Sequence, residues 1–256
     1  MMNGRNRPLF HQKSVCNTKD LRDFHRTLKG FLGDEGPIEY LVKPKLEGLT
    51  VALVYKKGAL EMARTDDKGY KREYVTANIK TILTVPLTLV QMDERYKIPD
   101  HLLVNGDVYM EFDAFLSLNQ RRVENGFSPF EHPVAAVADS LRQLNPRITA
   151  KRTLNIFCFD IGEYIGPPYG TQMEALIMLQ NWGLRVNRPL IRICPGIDAV
   201  IDYCRHLNEI RGQFPFNING IVIKLNRLSL QEKRLEGTES PEYALTFEFK
   251  EPYEAV

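Results

Sequence analysis

The chain has 256 residues, 43% of them hydrophobic and 26% charged. Those are the proportions of an ordinary globular protein, and they exclude a disordered, collagen-like or rod-forming chain. Its 34 basic and 32 acidic residues leave a net charge of +2, which excludes a histone-like polybasic surface as a bulk property but leaves room for local basic patches. No apolar run approaches the roughly 20 residues that span a bilayer, Met1–Gln12 lacks the apolar centre of a secretory signal, and the four cysteines form no C-x-x-C pair. The expectation is a cytoplasmic protein with reduced thiols and no zinc ribbon.

In chain order, Leu21, Phe24, Leu28 and Phe31 recur at helical spacing between a suitable N-cap, Asn17 or Thr18, and a suitable stop, Gly33. Segments rich in Val, Leu and Tyr then alternate with turn residues. Tyr40–Lys43, Leu49–Tyr55 and Leu60–Arg64 are predicted strands, the last two joined by a hairpin at Lys57-Gly58. Leu102–Met110 predicts another strand, and Asp113 is placed as the cap of a helix that runs to Arg122 and closes at Gly126. Leu154–Ile161 predicts a strand before a loop rich in Gly and Pro over 162–170.

Met173, Leu176, Ile177 and Leu179–Trp182 mark a helix that Gly183 stops, and Ile201, Cys204 and Leu207 mark a further one capped near Asp198. Two strands close the pattern, Gly220–Leu225 and Tyr243–Phe249, the second placing Glu248 and Lys250 on one face. Hairpins with inserted helices, without regular βαβ alternation, predict the α+β class with a mainly antiparallel sheet. Residues 1–37 are read as an N-terminal helix and its lead-in, and 38–256 as the remainder of one compact unit.

Val42-Lys43-Pro44-Lys45-Leu46-Glu47-Gly48-Leu49 resembles the Lys-x-Asp-Gly motif of nucleotidyltransferases, with Glu47 in the Asp position. A series of further segments follows it in order. These are Val75-Thr76-Ala77-Asn78, Gly106-Asp107-Val108-Tyr109-Met110, Leu118-Asn119-Gln120-Arg121-Arg122, Ser140-Leu141-Arg142-Gln143-Leu144 running on to Ala150, Thr171-Gln172-Met173-Glu174-Ala175-Leu176, and Gly220-Ile221-Val222-Ile223-Lys224. From about Leu9 to Glu251 the chain resembles the adenylation domain of bacterial NAD-dependent DNA ligases.

The resemblance implies a nucleotidyltransferase, ATP-grasp-like fold with antiparallel sheets flanking an adenylate cleft. It also implies NAD as AMP donor, magnesium to spread phosphate charge, and nicked DNA as partner. Lys45 would be the nucleophile, because an amine can attack the α-phosphate and store AMP as a phosphoramidate. Lys224 and Asp107 would join it in catalysis, Phe159 would stack on adenine, and Lys43, Glu47, Arg142, Arg211, Glu248 and Lys250 would complete the nucleotide site. Without the resemblance, the cations read as surface ion pairs and Phe159 as core. The five histidines show no ligand spacing, and no side-chain metal site is expected.

Departures from the family pattern concern charge. Lys43 stands in place of a Glu, Asp66 and Val134 in place of arginines, Asn219 in place of an Asp and Glu248 in place of a lysine, a net change of −2. Glu248 beside a phosphate is adverse unless it turns away or is protonated, and the signs suggest a Lys43–Glu248 charge exchange with Lys250 as a partial substitute. The resemblance also implies that the family's nicotinamide-binding region and its later DNA-binding domains lie outside this sequence, on a second chain or removed. Two readings stay open: an adenylating ligase domain, impaired alone, and an inactive ligase-like domain kept for binding or assembly. A third, an ATP-using adenylyltransferase, rests only on the absent nicotinamide region.

Overall fold

The computed structural model describes residues 13–33, 36–65, 73–235 and 243–250. In chain order they form β1 (Lys13–Val15), α1 (Thr18–Leu32), β2 (Glu39–Leu46), β3 (Leu49–Lys56), β4 (Ala59–Thr65), α2 (Thr76–Ile79), β5 (His101–Met110), α3 (Phe112–Glu124) and α4 (Pro133–Leu141). Then follow α5 (Pro146–Thr149), β6 (Leu154–Ile165), α6 (Gln172–Asn181), β7 (Arg192–Pro195), α7 (Ile197–Ile210), β8 (Ile218–Leu225), α8 (Leu228–Leu235) and β9 (Ala244–Glu248). Short 3-10 turns lie at Arg188–Leu190 and Arg211–Gln213. The chain divides into two compact units. Of the described residues, 47–65, 73–169 and 174–187 make the first, and the rest make the second.

The first unit is built on a four-stranded antiparallel sheet in the order β4-β3-β5-β6. Its β3–β4 hairpin turns through Lys57 (φ 47°) and Gly58 (φ 80°). Two successive positive φ values are what a two-residue hairpin needs to match the right-handed twist of its strands. Val51, Leu53, Tyr55, Leu102, Val104 and Ile156 are fully buried. Trp182 is buried as well, donating from Nε1 to the Tyr96 carbonyl at 3.0 Å.

Several of the quoted sequence segments turn out to hold this unit together. Asn119 exchanges two hydrogen bonds with the backbone of Phe130, at 2.9 and 2.8 Å, and the Arg122 guanidinium lies 4.0 Å from the Phe130 ring centroid. The buried Asn78 donates from Nδ2 to the carbonyls of Leu141 and Gln143. A buried amide with two carbonyl partners ties its loop to theirs, because leaving any of these groups unpaired is costly.

The second unit carries a five-stranded sheet in the order β1-β9-β8-β2-β7, parallel at β1–β9 and antiparallel in its other pairs. Strand alternation gives it two chemically different faces. Tyr40, Val42, Ile221, Ile223, Leu225 and Leu245 are buried on one. The other bears Lys43, Lys45, Lys224, Thr246 and Glu248. Helix α1 packs on α7 in this unit. Asn17 caps α1 by accepting from the Asp20 N–H at 2.9 Å, and Gly33 closes it with φ 61°. The buried stripe is Leu21, Leu28 and Leu32, while Phe31 is 47% exposed.

The α+β class with mainly antiparallel sheets holds, with local corrections. Glu111 occupies the N-cap position of α3, and Asp113 lies in its first turn. Gly196 precedes α7, and Asp198 in its first turn bonds Arg22 of α1 at 2.7 Å. β6 runs to Ile165, four residues into the expected loop, and β9 ends at Glu248, which leaves Lys250 exposed beyond the strand. Strands β1 and β7 and helices α4 and α8 carry no sequence expectation, because three- and four-residue strands show too few alternations and Ala-rich α4 lacks a side-chain cap.

Candidate active site

Lys45 is placed by the ladder of the second unit. It pairs with Gly220 of β8, and Gly220 pairs on its other edge with Glu248 of β9. Adjacent strands stand about 4.8 Å apart, so the Lys45 and Glu248 backbones are separated by roughly 10 Å across the intervening glycine. Their side chains close that gap over a position that has none: Nζ of Lys45 donates to Oε1 of Glu248 at 3.1 Å. A Cβ at Gly220 would lie 2.2 Å from the Phe247 carbonyl oxygen, so the backbone itself demands glycine there.

The bond from Lys45, together with one from Ser14, holds the Glu248 carboxyl below the ordinary glutamate range. Glu248 is therefore ionised at neutral pH, and the pairing the structure displays for it is with Lys45, in place of the expected charge exchange with Lys43. Lys45 and Glu248 are each nearly half exposed, whereas Lys43 and Lys224 on the same face are buried to 7% and 6%. Lys43 pairs with Val222, and Lys224 with Leu41 and Ala244. Arg211 lies in a 3-10 turn, donates to the Ile218 carbonyl at 3.4 Å and rests 5.1 Å from the Phe249 ring centroid. Asn219 offers its carbonyl to the Phe249 N–H at 3.0 Å.

Glu47, Asp107, Phe159 and Arg142 belong to the first unit. Gly48 approaches β5 so closely that a Cβ would come within 2.6 Å of the Val108 carbonyl oxygen. This is the physical reason the motif needs glycine beside half-buried Glu47. Asp107 accepts from Thr50 Oγ1 at 2.7 Å. Phe159 falls at a bulge, since Gly106 pairs with Cys158 while Asn105 pairs with Asp160, and it is half buried. The neighbouring Phe157 ring stacks on Tyr109 at 5.0 Å, with the Arg185 guanidinium 4.9 Å from its centroid.

Arg142 ends α4 and donates from Nε to Oε2 of Glu73 at 2.6 Å. The pair borders a cavity of about 370 Å³ lined also by Tyr74, Asn78 and Leu144. Val134 is half buried in the first turn of α4, and Asp66 lies outside the described residues.

The structure thus brings Lys43, Lys45, Lys224 and Glu248 to one sheet face and joins Arg142 to Glu73. Sequence reasoning missed Ser14, Thr50 and Glu73 as partners; each is a common polar residue whose role comes from register alone. Gly220 was quoted as part of a motif, but its function as an open passage is visible only from the two ladders that meet there.

The family profile described as the NAD-dependent DNA ligase adenylation domain matches residues 3–252. The DNA ligase of Geotalea daltonii is 41% identical over 251 residues, covering 97% of this chain and 37% of that protein. Those of Citrifermentans bemidjiense and Syntrophobacter fumaroxidans are 40% and 37% identical, over 94% and 97% of this chain and 36% of each relative. The chain spans a little over a third of the length of the curated relatives it matches. With the profile running over nearly its whole length and the motif residues in order, this chain belongs to the NAD-dependent DNA ligase adenylation domain family.

Proposed function

We propose that this chain forms a covalent adenylate on Lys45 with NAD as AMP donor, the opening step of sealing nicked DNA. The observation that carries the reading is the group of Lys43, Lys45 and Lys224 on one sheet face around Gly220. A concentrated positive face suits a diphosphate, and a lysine amine is a competent nucleophile once it has lost its proton. In the proposed step the Nζ lone pair forms the N–P bond to the α-phosphate, the P–O bond to nicotinamide mononucleotide breaks, and the amine proton passes to solvent. Lys43, Lys224 and Arg211 would spread the phosphate charge, with Lys250 available beyond β9. The nucleotidyltransferase fold, and the roles of Asp107, Glu47, Phe159 and Arg142 in handling nucleotide, are part of this proposal.

Among the described residues no three carboxylates, imidazoles or thiols gather, so those residues do not by themselves make a magnesium site. An ion arriving with the nucleotide would rest on phosphate oxygens and water. Also among the described residues, no helix is long and apolar enough to cross a membrane, which suits an activity on DNA in the cytoplasm. Nick sealing would draw on the portions of a ligase that this chain does not match, on the same polypeptide or on a second one.

An inactive binding domain is the second reading, favoured by one specific observation: Lys45 and Arg142 are both engaged by carboxylates. Autoadenylation of wild type, Lys45→Ala and Glu248→Lys with NAD and with ATP, read by intact mass, separates the two. The expectation is slow labelling of wild type with NAD and none of Lys45→Ala. For Glu248→Lys a gain on the order of a hundredfold is expected, since a second ammonium in that place favours a neutral amine and adds charge toward the phosphate, at about 1.4 kcal/mol per tenfold. Labelling of Lys45→Ala at the wild-type level would overturn the nucleophile; no labelling of any variant hands the chain to the binding reading.

A further inference from the structure

Ser14, Glu248 and Lys45 form a line across the five-stranded sheet. Ser14 sits in β1, whose parallel register sets it beside Thr246 of β9, and its side chain hydrogen-bonds the Glu248 carboxylate. From the other side the same carboxylate accepts from Lys45 Nζ at 3.1 Å. Strands β1, β9 and β2 contribute one side chain each, and β8, lying between β9 and β2, contributes Gly220, which leaves the passage open. Among the described residues, the other charged side chains on this face are Lys43, Lys224 and, at the far end of β2, Glu39, whose Oε2 accepts from Asn226 Nδ2 at 3.4 Å, so Glu248 is the carboxylate that meets Lys45.

We propose that Ser14 and Glu248 are positioning residues that park Lys45: Ser14 fixes the carboxylate, the carboxylate holds Nζ in one place, and attack on any electrophile requires the pair to part. The inference rests on the reading of Lys45 as the nucleophile. Its chemistry is general. An ammonium nitrogen has no lone pair, and a carboxylate within hydrogen-bonding distance occupies one of its donors and holds it in place. The serine adds direction, since a carboxylate held by two donors on different strands has fewer rotamers in which to release the amine.

The test measures the amine without any nucleotide. Nucleotide-free protein is trace-labelled with acetic anhydride, and the rate at each lysine is read by peptide mass spectrometry. Glu248→Gln should raise the Lys45 rate about two- to fivefold, the range expected on losing a half-exposed ion pair. Ser14→Ala should raise it less, by about 1.5-fold, and Ser14→Thr, which keeps the hydroxyl, should restore the wild-type rate. Lys56, paired with Glu61 at 2.7 Å in the first unit, should label equally in all variants and serves as the internal reference, while slow labelling of buried Lys43 and Lys224 reports that the second unit is folded. A Lys45 rate in Glu248→Gln at or below wild type overturns the proposal, and a wild-type rate in Ser14→Ala removes the serine from it. If the Lys45 rates rise as expected while no variant accepts AMP from NAD, the parking contact stands and the adenylating function falls.

Discussion

Two cations that the family resemblance assigns to the nucleotide are tied to carboxylates, one in each unit, and the two ties are built differently. Lys45 and Glu248 sit on strands two apart, in positions set by the hydrogen-bond ladders that each shares with β8. Arg142 and Glu73 join the end of a helix to an irregular segment, with side chains 43% and 44% exposed. In the first case the backbone fixes where the charges are and the side chains decide only their sign. In the second, place and sign both depend on side chains, since no ladder joins the two segments. A change at Glu248 should therefore act chiefly on chemistry, and a change at Glu73 chiefly on how easily Arg142 exchanges its carboxylate for a phosphate.

The largest effect should come from destroying the frame that makes the sheet pair possible. Gly220→Val places carbon against the Phe247 carbonyl oxygen, which forces β8 and β9 apart. A loss of about 3 kcal/mol or more is expected, read as the urea midpoint. A stability within about 1 kcal/mol of wild type would mean that the ladder tolerates a side chain there.

A smaller effect should appear with pH. The Glu248 carboxyl is held below its unfolded value, so its bond to Lys45 contributes fully above the unfolded glutamate value, about 4.3, and is lost as pH falls through the lower folded value. The difference in urea midpoint between wild type and Glu248→Gln should be steady near neutrality and shrink below about pH 4. A difference that grows in acid would contradict the sign. The smallest effect is expected at the tie that no ladder holds. Glu73→Gln should change stability by less than about 1 kcal/mol. Because the chain carries only +2 overall, its binding to nicked duplex should be weak and salt-dependent; freeing Arg142 should strengthen it a few-fold and steepen the salt slope by about one. Unchanged binding would mean that Arg142 does not face DNA.

Much of the strand and helix pattern was legible in the composition and spacing of long elements: α1 with its Asn17 cap and Gly33 stop, β3 and β5 as runs rich in Val, Leu and Tyr. Strand parity, a local property, sets Lys43 and Lys45 on one face of β2, while the β2–β8 register is what brings Lys224 to it. What was illegible depended on neighbours far along the chain. That Glu248 would meet Lys45 rather than Lys43 is decided by both pairing with Gly220, which no reading of β9 alone contains. Lys250 was misplaced because the sequence runs on in alternation past the strand's end at Glu248 and the last backbone bond to β8, from the Phe249 N–H to the Asn219 carbonyl. Thr50 and Ser14 gave no signal at all; a hydroxyl becomes a partner only through register.

Trp182 is the chain's one tryptophan, and it is wholly buried in the first unit with its N–H bonded to the Tyr96 carbonyl. The indole is therefore a built-in optical probe of that unit alone: its emission should be blue-shifted in the native protein and should move to the red when the first unit opens. Far-UV circular dichroism, by contrast, sums the helices and sheets of both. Coincident melting curves from the two signals would show that the units unfold as one cooperative body, and separated curves that they unfold in turn. A lesion such as Gly220→Val, confined to the second unit, should then shift the dichroism first and leave the fluorescence colour behind.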